Sequence, residues 1–276
     1  MDGVPGLTGE GCLEIGWDIV KIFALYNIKG GVGKTASAVN LAYLSSVKGH
    51  RTLVWDLDPQ GAATFYFRVK PKLAGGSRKL LQSKKKSPLR KQIRGSDFEL
   101  LDLVPADFSI RNLDVELEGT KKPSERLARL LEPLEDEYDH VFLDCAPSIS
   151  LTSESIFAAA DVLLVPTIPT PLSVRTLEQL DRHLAEEGDG LDLRVLPFMC
   201  MVDRRKKMHR AAEDLALELQ GSLQRVEPFL DARIPYSSTV EHMGVERAPV
   251  ASFAYRSSAN RAYRALWDSI EQRIGI

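Results

Sequence analysis

The stretch Lys29-Gly30-Gly31-Val32-Gly33-Lys34-Thr35 decides how this chain is read. An apolar run, Ile22 to Leu25, leads into it, and a helical pattern of apolar residues, Ala38, Leu41, Ala42 and Leu44, leads out. Strand, glycine loop and helix in that order form a phosphate-binding loop. The glycines let backbone N–H groups curl around phosphate oxygens, and the helix N-terminus adds its positive dipole end. Lys34 is placed to neutralise phosphate charge and Thr35 to ligate Mg²⁺. Gly30, Gly31, Val32, Gly33 and Ala36 complete the expected nucleotide-binding segment. Two features depart from the common G-x-x-x-x-G-K pattern: Ile28 stands at the place of its first glycine, and Lys29 adds a second lysine where one suffices.

Two further apolar runs end in carboxylates. Thr52 to Trp55 runs into Asp56-Leu57-Asp58-Pro59-Gln60-Gly61, and Val141 to Leu143 runs into Asp144. Both endings fall at the carboxyl ends of predicted strands, where open α/β sheets bind ligands. Asp144 fits a Walker B element that supports Mg²⁺ directly or through water. Asp58 can order the water that attacks a γ-phosphate, and Asp56 can couple that step to the metal or to loop position. A lone carboxylate after a strand is as easily a helix cap; three such elements in this order favour the nucleotide reading.

On these residues, KGGVGKT resembles the deviant phosphate-binding loop of the ParA/MinD family of dimeric ATPases, whose leading lysine crosses the dimer interface to the partner subunit's nucleotide. The likeness adds Lys29 to Asp58 and Asp56 as catalytic candidates. DLDPQGAAT from Asp56 resembles the first switch of ParA-type ATPases, and VFLDCAPS resembles their Walker B element and second switch, with Pro147 and Ser148 in the moving part. The similarity continues through LLVPTIPTPLSVRTL, MVDRRKKMHR and IPYSSTVEH, and covers roughly residues 20 to 275. The Pro-Gln-Gly step in the first switch sets the chain on the ParA side. The resemblance implies ATP and Mg²⁺ as cofactors, a homodimer formed with ATP, non-specific DNA as a binding surface, and a ParB-like or other cargo adaptor that stimulates a slow ATPase. Two positions depart from the family pattern: Ala36 where a second Thr is usual, and Cys200 where Thr or Asn is common. Adenine is then expected against Met201 and Pro235, beside Ile234 and Tyr236.

With 276 residues, 44% hydrophobic and 27% charged, the chain can bury a sizeable core and reads as a single α/β P-loop NTPase domain over 20–276. Strands expected at Phe98 to Val104, Val162 to Val165 and Leu193 to Met199 alternate with helices from Ser124 through Leu134, through Ile156 to Ala160, from Ser173 to about Leu184, and from Lys207 to Leu219. This alternation predicts a mostly parallel twisted sheet with helices on both faces. Residues 1–19 are Gly-rich and aperiodic and are expected to be a poorly ordered extension. They carry no basic segment followed by a continuous apolar core, so a cytoplasmic location is expected, and the resemblance implies association with the nucleoid. Cys12, Cys145 and Cys200 form no C-x-x-C pair or metal-ligand spacing and read as buried or incidental thiols.

The formal net charge of −2 conceals segregation. From Arg68 to Arg94 there are eleven Lys or Arg and no acidic residue. With Pro71, Gly75-Gly76 and Pro88 interrupting it, this run is expected to include an exposed, mobile loop, and it reads either as a partner surface or as solvated charge. Arg204, Arg205, Lys206, Lys207 and Arg210 cluster at a predicted helix start and are expected to contact DNA phosphates. The expected function is an ATP-dependent dimeric switch that binds nucleoid DNA and is released on hydrolysis, positioning a plasmid, chromosome or protein cargo. The alternative is a MinD-like membrane-associated ATPase. Tyr263, Leu266, Trp267, Ile270 and Ile274 recur at helical spacing as that reading needs, but Asp268 and Glu271 weaken a lipid-facing surface and core packing is favoured. An iron–sulfur relative would need cluster cysteines, and Cys145 has no clear companion.

Overall fold

Thr52–Asp56 and His140–Asp144 are buried along their whole length, which a strand achieves only when layers cover both faces of its sheet. The computed structural model describes residues 20–186 and 191–276; the expected extension over 1–19, with Cys12, lies outside them. One sheet contains β1 (Lys21–Leu25), β2 (Thr52–Asp56), β3 (Arg94–Gly95), β4 (Leu101–Val104), β5 (His140–Asp144), β6 (Val162–Thr167), β7 (Arg194–Val202) and β8 (Leu230–Pro235). Their order is β3-β4-β2-β5-β1-β6-β7-β8. Every pairing is parallel except β3–β4. The helices are α1 (Lys34–Val47), α2 (Ala62–Tyr66), α3 (Gly76–Leu81), α4 (Leu113–Glu118), α5 (Arg126–Leu131), α6 (Leu151–Phe157), α7 (Pro171–Glu186), α8 (Lys207–Leu219), α9 (Ser238–Glu241), α10 (Met243–Glu246), α11 (Val250–Phe253) and α12 (Ser258–Ile274).

Alternation along each strand builds two cores. Phe23, Leu25, Val54, Phe142 and Leu164 join apolar residues of α1 and α12 on one face. Ala24, Leu53, Trp55, Leu143 and Val165 join those of α4, α5, α6 and α7 on the other. This is the helix-covered, mostly parallel α/β sheet of a P-loop NTPase. On the first face Phe23 stacks on Phe142 at 4.9 Å between ring centroids, with Trp267 edge-on to Phe23 at 5.4 Å. Tyr263, Leu266, Trp267 and Ile270, the stripe a membrane helix would need free, are thus buried in the core. Truncating a buried aromatic of this kind costs about 3–5 kcal/mol.

Several expected boundaries shift, each for a local reason. The strand expected from Phe98 starts at Leu101, because Leu100 takes φ +57° and the Ser96 hydroxyl accepts the Phe98 N–H, closing a turn. The helix expected from Ser124 through Leu134 is three pieces, a 3₁₀ turn at Pro123–Glu125, then α5, then a 3₁₀ turn at Glu132–Leu134. Pro133 lacks the N–H that would continue α5. Its leucines remain buried. The helix expected to run to Ala160 spans Leu151–Phe157, opened by reciprocal Ser150 and Ser153 caps. The basic run folds in part as α3 and a 3₁₀ turn at Leu89–Lys91, because Leu73, Leu80, Leu81 and Leu89 are buried in the core, and between these two pieces it includes a largely exposed irregular loop over 82–88.

Candidate nucleotide-binding site

The glycine loop leaves β1 and enters α1 with Gly31 at φ +71° and Gly33 at φ +97°, both in the left-handed region open to glycine. Gly33 also lacks room for a side chain, since a Cβ there would sit 2.8 Å from the Cys200 sulfur. Gly30 and Gly31 are exposed, Val32 is buried, and Ala36 is half-buried on the first turn of α1. The loop is pinned from beneath by Asn27, which sequence reasoning missed. Its Oδ1 accepts the Lys29 backbone N–H at 2.8 Å, and its Nδ2 donates to the Pro166 carbonyl on β6 at 2.9 Å. A buried polar residue just after an apolar strand was the available signal.

Lys34 is buried, and its Nζ donates to the carbonyls of Asn27 and Lys29 at 3.2 and 3.1 Å. Burial lowers its pKa, while Cys145, Asp144 and Asp58 favour the charged form. Lys29 is half-buried; its Nζ lies 3.4 Å from the Ser173 hydroxyl at the start of α7 of the same chain. In register, Asp144 at the end of β5 lies beside Asp56 at the end of β2 and beside Leu25 of β1. Asp144 is fully buried, and neither carboxylate oxygen has a hydrogen-bond partner of normal geometry. Burial, then the charge of Asp56, raises its pKa well above the carboxylate range, offset in part by the Thr35 hydroxyl and by Lys34.

Asp56 is also fully buried, but it is satisfied. Its Oδ2 accepts the Thr64 N–H at 2.8 Å and the Thr64 hydroxyl at 2.6 Å, and its Oδ1 accepts the Asp58 N–H at 3.2 Å. Burial pushes its pKa up to about 6 against the lowering effect of Thr64. Asp56 therefore anchors the start of α2 to the sheet. Asp58 is half-buried and accepts the Gln60 N–H at 2.9 Å. The second switch is tethered through Tyr26, whose hydroxyl donates to the Ser148 carbonyl at 2.6 Å.

Met201 and Pro235 come together with Gly33, Ala36, Ile234 and Tyr236 around one recess beside the loop, the arrangement expected of an adenine seat. Met201 holds φ +55°. Arg204, Arg205, Lys206, Lys207 and Arg210 are exposed beyond the end of β7, apart from the loop. Arg205 is committed to Asp203 at 3.0 Å, and the other four have no carboxylate partner among the described residues.

The donors fit Mg²⁺. Thr35 and Asp144 supply hard oxygen, and a buried carboxylate without a partner is a group that a cation completes. Among the described residues no cluster of three His, Cys, Asp or Glu could hold a metal alone, as befits an ion whose remaining ligands are phosphates and water. Cys145 and Cys200 are buried and free, and burial raises both thiol pKa values. No helix of the described residues is long and apolar enough to cross a membrane.

Comparison with known proteins agrees with this geometry. The family described as AAA domain matches residues 20–188. The chromosome partitioning protein ParA of Myxococcus xanthus is 29% identical over 274 residues, 97% of this chain and 94% of that protein. The solved cobyrinic acid a,c-diamide synthase of Mycobacterium smegmatis, with a bound ATP analog and magnesium, is 25% identical with a TM-score of 0.78, covering 94% of this chain and 97% of that one. The ATP complex of Cyanothece McdA is 20% identical with a TM-score of 0.76, covering 94% and 98%, a likeness of fold.

Proposed function

We propose a function from one premise: the chain belongs to the AAA-domain family and is a ParA-type P-loop partition ATPase. The reading is an ATP-dependent dimeric switch, with residues 20–276 as its ATPase domain, working in the cytoplasm on nucleoid DNA to position a plasmid, chromosome or protein cargo. The observation that carries it is Asp144, a buried carboxylate without a partner beside Lys34 and Thr35 at the mouth of the glycine loop. A charge so placed is tolerated where a ligand completes it.

ATP is held with its phosphates in the loop from Gly30 to Ala36 and its adenine in the recess at Met201 and Pro235. Thr35 and, through water, Asp144 would hold Mg²⁺, which would supply neutralisation of phosphate charge. Lys34, now turned onto two loop carbonyls, exchanges these weak acceptors for phosphate oxygens. Asp58 orders a water whose oxygen attacks the γ-phosphorus while the bond to the β-phosphate oxygen breaks, leaving ADP and phosphate. Asp56, bonded to Thr64, carries the change at Asp58 into α2. Lys29 leaves Ser173 to reach the nucleotide of a second copy, offsetting the repulsion of two facing ATP molecules. The ATP dimer holds duplex DNA without sequence preference through Arg204, Lys206, Lys207 and Arg210, with Arg205 braced by Asp203, until a ParB-like or other adaptor stimulates hydrolysis. Tyr263, Leu266, Trp267 and Ile270 of α12 are buried in the core, which supports the DNA reading over a membrane one.

Asp58→Ala tests this reading. The variant is expected to bind ATP, dimerise and remain on DNA while turnover falls by about 10² or more. Turnover at the wild-type rate in a steady-state assay removes Asp58 from the reaction.

A further inference from the structure

We propose that the basic segment between Lys70 and Arg94 is a second surface for the phosphate backbone of duplex DNA, at the end of the sheet opposite the Arg204 to Arg210 cluster. The inference rests on the DNA-binding reading above and adds to it a surface and a geometry.

The segment sorts its residues completely. All eleven cations from Arg68 to Arg94 are exposed, while Leu73, Leu80, Leu81 and Leu89 between them are buried. The leucines fasten α3 and the 3₁₀ turn to the core, and the cations are left outside, on these two pieces and on the irregular segments beside them. Only two of the eleven have carboxylate partners among the described residues, Arg68 with Asp97 and Arg90 with Glu137. Arg78 and Lys79 on α3, with Lys84 and Lys85 after it, line one concave surface together with Gln82 and Ser83. So much like charge in one segment, nine of its eleven cations without a carboxylate partner among the described residues, costs repulsion, and a polyanion removes that cost.

The composition of the surface selects the polyanion. Among the described residues, no exposed large apolar side chain lies within the segment; Phe65, Phe108 and Leu100 are exposed beside it, and Phe108 is capped by the Arg111 guanidinium at 3.9 Å from its ring centroid. Insertion at a membrane interface needs an apolar face, and protein interfaces rely on aromatic and apolar anchors. Contact with a phosphate backbone needs charge and hydrogen-bond donors alone.

Position supports the assignment. The Leu73 N–H is held by the Asp107 carboxylate at 2.9 Å and the Ser77 N–H by the Ser109 hydroxyl at 2.8 Å, just beyond the carboxyl end of β4. The Ala106 N–H beside them donates to the Thr64 hydroxyl at 2.9 Å, and that hydroxyl donates to Asp56. The platform thus begins on the same edge of the sheet as the glycine loop and is linked by hydrogen bonds to the first switch. From β4 to β7, where the other cluster begins, is five strand spacings, roughly 24 Å. Two patches so separated act independently, so their contributions to binding should add.

The experiment measures duplex binding against salt concentration in the Asp58→Ala background with ATP. Lys84→Ala, Lys85→Ala and Lys86→Ala together should reduce the steepness of the log–log salt dependence by about 2–3, at about 0.9 per lost phosphate contact, and weaken binding about tenfold or more at low salt. ATP affinity and dimerisation should not change. Combining them with Arg204→Ala and Lys207→Ala should give the sum of the two effects. If Arg204→Ala with Lys207→Ala weakens binding and the triple lysine variant does not, this inference falls and the DNA reading stands. If the Asp58→Ala protein with ATP binds no duplex, both fall. Loss of binding to phosphatidylserine vesicles with duplex binding intact assigns the surface to lipid and overturns the inference.

Discussion

The charged groups of Asp144 at the centre of the sheet and of Lys84, Lys85 and Lys86 at one end of it lack ionic or hydrogen-bond partners of normal geometry among the described residues, for opposite reasons. Asp144 is fully buried between β2 and β1 with no hydrogen-bond partner of normal geometry, so it is held at a cost that only a bound cation offsets. Lys84, Lys85 and Lys86 stand in solvent, where water meets their hydration at no such cost. The first arrangement acts as a switch, because completing or losing a buried charge shifts energies by several kcal/mol. The second acts by increments, each screened by salt. On the proposed reading, one chain couples in this way a binary nucleotide state to graded, sequence-independent adhesion.

Lys34→Ala tests the binary half and should have the largest effect. ATP affinity by calorimetric titration is expected to fall about 100-fold or more, since a charge-assisted contact worth about 1.5–3 kcal/mol is lost and the neighbouring carboxylates lose their cation. Dimerisation and DNA binding should go with it. A loss of only a few-fold breaks the comparison, because the centre then behaves like the margins.

Lys29 stands between the two regimes, half-buried and resting on Ser173. In the Asp58→Ala background, Lys29→Gln should leave monomer affinity for ATP nearly unchanged and weaken the ATP dimer about tenfold or more. Light scattering with ATP reads the result directly. A dimer as strong as that of Asp58→Ala alone means that the lysine serves its own subunit.

The smallest effect sharpens the account of the centre. The Asp56 carboxyl is lifted to about 6, chiefly by burial, so between about pH 4 and 6 the folded chain holds a proton that the unfolded chain releases. That contribution to the stability of the nucleotide-free protein is present at the low end and lost as pH rises through about 6. Asp56→Asn removes it, so the variant's Tm should decline less than the wild type's over this window, by about 4–8 °C. Parallel wild-type and variant curves assign no titration to Asp56. Comparing the two proteins cancels groups that act the other way, such as Asp139, held low by Arg51.

Whatever depends on a few consecutive residues is legible in the sequence alone. An apolar run, three glycines, Lys34 and a helical pattern describe a strand, loop and helix through local geometry, and strands ending in Asp56 and Asp144 follow from apolar runs that stop at a carboxylate. The leucines of the basic run are equally visible, yet their neighbours make them read as part of a loop. Their burial depends on where β4 and its following turn lie, and no local pattern states that.

Tertiary structure alone decides the rest. Placing β5 between β2 and β1 sets Asp144 beside Asp56 and turns two ordinary strand ends into a shared buried pair. Asn27 meets Pro166, 139 residues away in sequence, and the Cys200 sulfur leaves Gly33 no room for a Cβ. The stripe of α12, read from its sequence as favouring the core, finds its cover in the aromatic side chains of β1 and β5. A sequence states which groups are present and their local geometry. The partner that satisfies a buried group, or the surface that covers an apolar one, comes from distant segments, and their arrangement is settled only when the sheet closes.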